Sequence, residues 1–180
     1  MDPIILPYRG EFAPAGVSPT ISPAAFIAPG AVVVGDVTIG TDSGLWFGCV
    51  ARGDVNIVRI GARTNIQDGT VIHVTRRTGP TLIGSGVTVG HACVLHACVV
   101  EDDSFIGMRA TLMDGVVVER GGWVAAGALV TPNKRIPSGE IWAGNPAKFF
   151  RKLTPEEIEF IGVSAENYVR HAREYLAMDS

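Results

Sequence analysis

Residues 100–130 read VEDDSFIGMRATLMDGVVVERGGWVAAGALV, and within them Val100, Ile106, Leu112, Val118, Val124 and Val130 stand six apart. A strand alternates with period two and an amphipathic helix repeats about every 3.6 residues, so a sustained period of six belongs to neither. It fits a parallel β-helix of hexapeptide repeats: each hexad gives one short flat face, its aliphatic residue points inward, and a small residue eases the corner. The beat extends upstream through Ile27, Val33, Ile39, Leu45 and Ala51, then Ile60, Ile66 and Ile72, then Ile83, Val89 and Leu95, with a one-residue slip before Val100. Gly40, Gly61, Gly84, Gly90 and Gly107 each follow an aliphatic position. Three hexads make a triangular coil of about 18 residues, and coils stack at roughly 4.8 Å, burying a continuous aliphatic column. The predicted fold class is all-β: a β-helix domain over residues 1–152, with repeats at about 20–136, and a C-terminal helical segment over 153–180 packed on it.

The composition agrees with one compact repeat domain. The chain has 180 residues, 22 of them glycine, and is 47% hydrophobic with few aromatics, as narrow coils with repeated corners require. A net charge of −3 argues against a nucleic-acid partner. No run approaches 18 uninterrupted apolar residues, and the start Met1-Asp2-Pro3-Ile4 lacks a basic secretory signal. The expectation is a soluble cytoplasmic protein with no membrane partner. Cys49, Cys93 and Cys98 form an odd set without framework spacing, which fits buried, reduced thiols better than disulfides or a Cys/His metal site.

Beyond Pro137 the hexad is lost and residues 141–146 turn the chain. Thr154-Pro155-Glu156-Glu157 then opens a helix: Thr154 caps, Pro155 takes the first helical position and Glu157 returns a bond to the cap. A second helix start is expected at Ser164, leading through Tyr168, Val169, Ala172 and Leu176. His171, among Arg170, Arg173 and Glu174, reads as exposed and unliganded.

The other histidines, His73, His91 and His96, fall within 24 residues of one another. His73 and His91 are 18 residues apart, one nominal coil, but residues 74–82 break the hexad and are expected to bulge. His96 follows His91 by five residues, which puts the two on different faces or at opposite ends of one. Three imidazoles with an open fourth position form a known catalytic zinc arrangement. Two imidazoles so placed in one subunit need not share a metal, although an interface would let them. Histidines at solenoid corners, hydrogen-bonded and inert, are the alternative.

Val50-Ala51-Arg52-Gly53-Asp54, Arg63 through Gly69, Ile72-His73, Val89-Gly90-His91, Leu95-His96, Ile106-Gly107-Met108 and Gly144-Asn145-Pro146-Ala147 together resemble the γ-class carbonic anhydrase-like family over roughly residues 20–176. The resemblance implies a left-handed β-helix assembled as a homotrimer with the metal between subunits, His73 and His96 coming from one subunit and His91 from its neighbour. It implies zinc, with ferrous iron or cobalt as alternatives, and hydration of carbon dioxide to bicarbonate. It further implies that Gln67 orients the reacting solvent and that Arg52 sits near bicarbonate. Asp54 and Asp68 would pair with arginine within or across the interface, and Tyr168 would reach over the site from the C-terminal helix. Plain ion pairing at the subunit contact and plain helix anchoring are the alternatives for the two aspartates and the tyrosine.

Two departures stand against full activity. The family's pattern carries a glutamate directly after the position of Asp54 and another on an acidic loop after the first histidine. Here Val55 takes the first place, and Thr75-Arg76-Arg77-Thr78-Gly79-Pro80 forms a basic loop in the second. Those glutamates are the family's proton shuttle, so turnover is expected to be slow or absent. A metal-binding member with another reaction or an assembly role therefore stays open, as does a hexapeptide-repeat acyltransferase using one histidine as base. Arg76 and Arg77 read as a solvated loop.

Overall fold

The computed structural model describes residues 2–178. The chain winds as a left-handed parallel β-helix whose three flat faces follow from the hexad. The first face stacks the leading halves of Val32–Ile39 and Val50–Ile60, then Val71–His73, Val94–His96, Thr111–Leu112 and Leu129–Val130. The second stacks Thr20–Ile21, the trailing halves of the same two long strands, Thr81–Ile83, Val99–Val100, Val117–Val118 and Arg135–Ile136. The third runs from Phe26–Ile27 through Gly44–Leu45, Asn65–Ile66, Thr88–Val89, Phe105–Ile106 and Trp123–Val124 to Glu140–Gly144.

Register converts the six-residue beat into the core. Ile66, Val89, Ile106 and Val124 lie directly over one another on the third face, as do Ile72, Leu95, Leu112 and Val130 on the first. All are essentially excluded from solvent. Each fully buried aliphatic side chain of this kind contributes about 1.5–3 kcal/mol. The glycine after the aliphatic position is required by the stacking: a Cβ on Gly90 would come within 2.6 Å of the Met108 backbone nitrogen. At the corner that leads from the third face to the first, Gly69, Ala92, Arg109 and Gly127 adopt positive φ in successive coils. Each donates its backbone N–H to a carbonyl of the coil before, so the corners are tied in the same way as the faces.

The slip between Leu95 and Val100 and the bulge at residues 74–80 fall at one corner, between the first and second faces. There Ala97 N–H bonds the carbonyl of His73. The bulge closes on itself through a Thr75–Gly79 bridge, and the strand resumes at Thr81. The corner that departs from the repeat is the one that carries His73 and His96.

The chain leaves the solenoid through a hairpin in which Ala147–Lys152 runs antiparallel to Glu140–Gly144. The helix then spans Pro155–Met178. Its start is as the sequence predicts: Thr154 N–H donates to Glu157 Oε2 at 2.9 Å and Glu157 N–H to Thr154 Oγ1 at 3.3 Å. The second start expected at Ser164 does not exist. Ser164 is an interior, buried helical residue whose hydroxyl meets Thr88 Oγ1 at 3.1 Å. Its preference for a helix start is overridden because Ile161, Ser164, Ala165, Val169 and Ala172 form one continuous buried stripe against the third face. No described helix is long and apolar enough to cross a membrane.

Candidate metal centre

At the corner between the first and second faces, two strands in register bring His73 and His96 side by side. His73 Nδ1 and His96 Nε2 face each other at 3.2 Å. The far nitrogen of each ring is held by a carboxylate: His73 Nε2–H donates to Asp54 Oδ1 at 3.1 Å and His96 Nδ1–H to Asp114 Oδ1 at 2.7 Å. Neutral imidazole carries one proton, so these bonds favour the tautomers that leave His73 Nδ1 and His96 Nε2 unprotonated, 3.2 Å apart. Two Zn–N bonds of ordinary length at a tetrahedral angle span about 3.3 Å. The pair therefore fits two adjacent ligands of a tetrahedral metal, with the carboxylate partners such ligands usually have.

The electrostatics keep the ligands ready. Burial, opposed by the hydrogen bond to Asp54 and joined by the nearby Arg52 charge, pushes His73 below the usual histidine range, which favours the neutral ring at pH 7. Burial pushes Asp54 up, but hydrogen bonds from Arg52 and His73 outweigh it and hold the carboxyl below its usual range. Thr75, at the start of the bulge, donates to Asp114 and is the leading cause of that carboxyl's depression, with His96 adding to it against desolvation. Arg52 forms an ion pair with Asp54 as expected, and its side chain remains 44% exposed, open to an incoming anion.

His91 is elsewhere. It sits at the corner between the third and first faces, before the strand Val94–His96, while His96 ends that strand, so the two lie at opposite ends of one face. His91 Nδ1 lies 2.9 Å from Asp68 Oδ2, a close ion-pair contact. Within the chain Asp68 thus meets a histidine rather than an arginine. Gln67, one residue before it, is buried, and its amide donates to Asn65 Oδ1 at 3.0 Å in a chain that continues through Thr88 to Ser164 of the helix. Tyr168 packs edge-on against Trp46 with centroids 5.4 Å apart and, with Asp68, lines a pocket of about 430 Å³. Burial and Asp68 both push its phenol up.

The sequence-predicted residues thus divide into two clusters: His73, His96, Arg52 and Asp54 at one corner, His91, Gln67, Asp68 and Tyr168 at another. Among the described residues, no three His, Cys, Asp or Glu side chains of one chain gather as a metal set. The cysteines take no part. All three are buried and free, and burial drives their thiols up to about 12, 11 and 12 at Cys49, Cys93 and Cys98. His171 is exposed.

Two features lay outside the sequence reading. Asp114 follows His96 by 18 residues where the strands stack 17 apart, so the slip in the repeat hides this pairing from a count of coils. Glu11 lies at the tip of an N-terminal hairpin formed by Tyr8–Gly10 and Ala13–Val17. It pairs with Arg76 at 3.5 Å and Arg77 at 3.4 Å, and both guanidinium groups lie over the Phe12 ring. The basic loop is therefore exposed but tethered rather than simply solvated. Val55 packs against the core, and a pocket of about 360 Å³ opens between it, Asp54, Phe12 and Arg77.

The fold defines a hexapeptide-repeat solenoid that carries two separate histidine clusters at opposite ends of one face. No family model matches the chain. It is 58% identical over 165 residues to "Gamma carbonic anhydrase 1, mitochondrial" of Arabidopsis thaliana, which covers 89% of this chain and 60% of that protein. It is 38% identical over 175 residues to "Carbonic anhydrase" of Geobacillus kaustophilus, covering 97% and 92% of the two chains. A solved hexapeptide transferase family protein from Anaplasma phagocytophilum superposes with a TM-score of 0.89 at 47% identity, covering 96% and 98%. The chain belongs to the γ-class carbonic anhydrase-like family. It spans about 60% of the length of the mitochondrial relatives it matches.

Proposed function

We propose that three copies assemble around their first faces, that each contact joins His73 and His96 of one subunit to His91 of the next, and that the completed centre hydrates carbon dioxide reversibly to bicarbonate. The observation that carries this reading is the approach of two carboxylate-held imidazoles to 3.2 Å in a chain whose third candidate ligand, paired with a carboxylate at 2.9 Å, lies at the opposite end of the same face. The face between the half-sites supports the assembly. Its outward residues Val32, Val50, Val71, Val94, Thr111 and Leu129 stand in register as a largely apolar stripe, with Val71 39% and Val94 40% exposed.

Zinc suits three imidazole ligands, with ferrous iron or cobalt as alternatives, and such an ion lowers the pKa of water to about 7, supplying hydroxide at neutral pH. The chain's own residues supply the rest. Asp54 and Asp114 hold His73 and His96 in the ligating tautomer, and Asp68 stands beside His91. Arg52, exposed beside His73, offers the cation that retains the bicarbonate anion. Gln67, fixed by Asn65, presents its carbonyl oxygen to orient water, and Tyr168 stands with Asp68 at the mouth. With Val55 and the basic loop where the shuttle glutamates would be, the product proton passes to buffer, so turnover is slow and buffer-dependent. The reduced cysteines fit a cytoplasmic setting.

Stopped-flow hydration of carbon dioxide, on protein purified without oxygen or chelator and assayed for metal, tests the reading against His73→Ala. Activity abolished in the variant supports it. Full metal occupancy without hydration transfers the centre to a structural or other catalytic role. A second reading, acyl transfer, draws on the Anaplasma structure's description as a transferase. Thioester-dependent transfer that survives chelation would establish it instead.

A further inference from the structure

The chain has three lysines, and Lys134, Lys148 and Lys152 all lie at the last coil and its hairpin. There the solenoid stops: Leu129–Val130 and Arg135–Ile136 are the outermost strands of their sheet, and on the third face the chain turns back as Ala147–Lys152. Trp142 takes the inward register position held by Val124 one coil earlier and packs on the aliphatic core, so its indole closes the column. Over this end lies a pocket of about 380 Å³ lined by Lys134, Lys148, Trp142, Phe149 and Thr131.

The charge of this pocket is unmatched. Arg120, Arg135 and Arg151, toward the same end of the solenoid, each pair with a carboxylate, whereas none of the three lysines forms an ion pair among the described residues. Glu140, the carboxylate at Trp142, accepts from the indole Nε1–H at 3.0 Å. Phe149, which lines the pocket, is 51% exposed. Two free ammonium groups beside two aromatic rings match a ligand that is phosphorylated at one end and planar at the other. A simple anion would leave the rings wet and most of the volume unfilled.

We propose that this end pocket binds an adenine nucleotide diphosphate group, its phosphates on Lys134 and Lys148 and its base against Phe149 and the edge of Trp142. The group has two sources, a free nucleotide or the nucleotide end of an acyl carrier such as coenzyme A. The second has room to extend, because the adjoining Pro132 and Asn133 line a groove of about 400 Å³ that continues along the corner to Asp114. The lysine pocket itself shares no lining residue with the histidine cluster, and the proposal does not rest on the carbonic anhydrase reading.

Calorimetric titration of the whole protein with ADP, coenzyme A and inorganic pyrophosphate tests it. Saturable ADP binding is expected. Removing one charge-assisted hydrogen bond weakens binding about tenfold, so the exposed-residue variant K134A/K148A should bind ADP about a hundredfold more weakly. Phe149→Ala should weaken ADP and leave pyrophosphate unchanged. Equal affinity for ADP and coenzyme A identifies a free nucleotide, and tighter coenzyme A identifies the carrier. The proposal is overturned by no saturable binding of either nucleotide, by affinity unaltered in K134A/K148A, or by pyrophosphate binding as tightly as ADP. Retention on anionic vesicles without nucleotide binding would also overturn it, in favour of a membrane surface.

Discussion

His96 Nδ1 donates to Asp114 Oδ1 at 2.7 Å, one coil further along the same corner, and this bond decides which nitrogen of His96 faces His73. Asp114 is itself anchored by Thr75, so the bulge after His73 reaches across to steady the ligand beside it. Replacing Asp114 with Asn removes the charge and leaves the shape. Metal affinity should fall about 10–100-fold, the usual cost of losing such an outer partner, while the circular dichroism spectrum stays unchanged. Competition against a chelator measures it, and an unchanged affinity would remove Asp114 from the centre.

His91→Ala separates a shared centre from a local one. The side chain contributes nothing to the aliphatic column, so the subunit should fold normally, yet metal content should drop and the trimer should loosen because a bridging ligand is gone. His171→Ala, on the exposed side of the helix, should change neither. Elemental analysis and sedimentation velocity on the same samples give the answer. Full metal occupancy in His91→Ala would mean that His73 and His96 complete their site some other way.

The apolar stripe gives a complementary test. Val94 points outward from the first face between the half-sites and is 40% exposed in the single chain. In a trimer packed on that face, Val94→Glu buries an unpaired carboxylate at the contact, at a cost of several kcal/mol. The variant should sediment as a folded monomer without its metal. If Val94→Glu instead remains trimeric with metal bound, the contact uses another face.

How much of this was legible beforehand follows from where the period holds. Ile106, Leu112, Val118 and Val124 announce their own environment, because a six-residue beat has few structural explanations, and they sit in the core where the count puts them. The separation of His91 from His96 also followed from arithmetic, five residues being about the width of one face. Spacing failed where the chain leaves the repeat. Asp114 is a coil away from the histidine it holds, and Glu11 meets Arg76 and Arg77 through a hairpin that no hexad predicts. Ser164 misled because a residue that favours helix starts was instead recruited by Thr88, a partner 76 positions away.

Glu157 supplies a pH signature for the helix that covers the third face. Its carboxylate accepts from Arg151 through two bonds, Nη1 at 2.7 Å and Nη2 at 2.8 Å, and from the Thr154 N–H, and these hold its pKa at about 2 against an ordinary 4.5. A carboxyl depressed in the folded state binds its proton more readily when unfolded, so it stabilises the fold fully above about pH 4.5 and loses that effect as pH falls towards 2. Glu157→Gln keeps an oxygen for the Thr154 cap and deletes the charge facing Arg151. The variant should melt a few degrees below the parent at pH 7, the gap should narrow below pH 4.5, and the two curves should meet near pH 2. Thermal melts across that range measure it. A gap that persists unchanged at pH 2 would show that Glu157 acts by shape, and that its pairing with Arg151 contributes nothing to the stability of the helix on the solenoid.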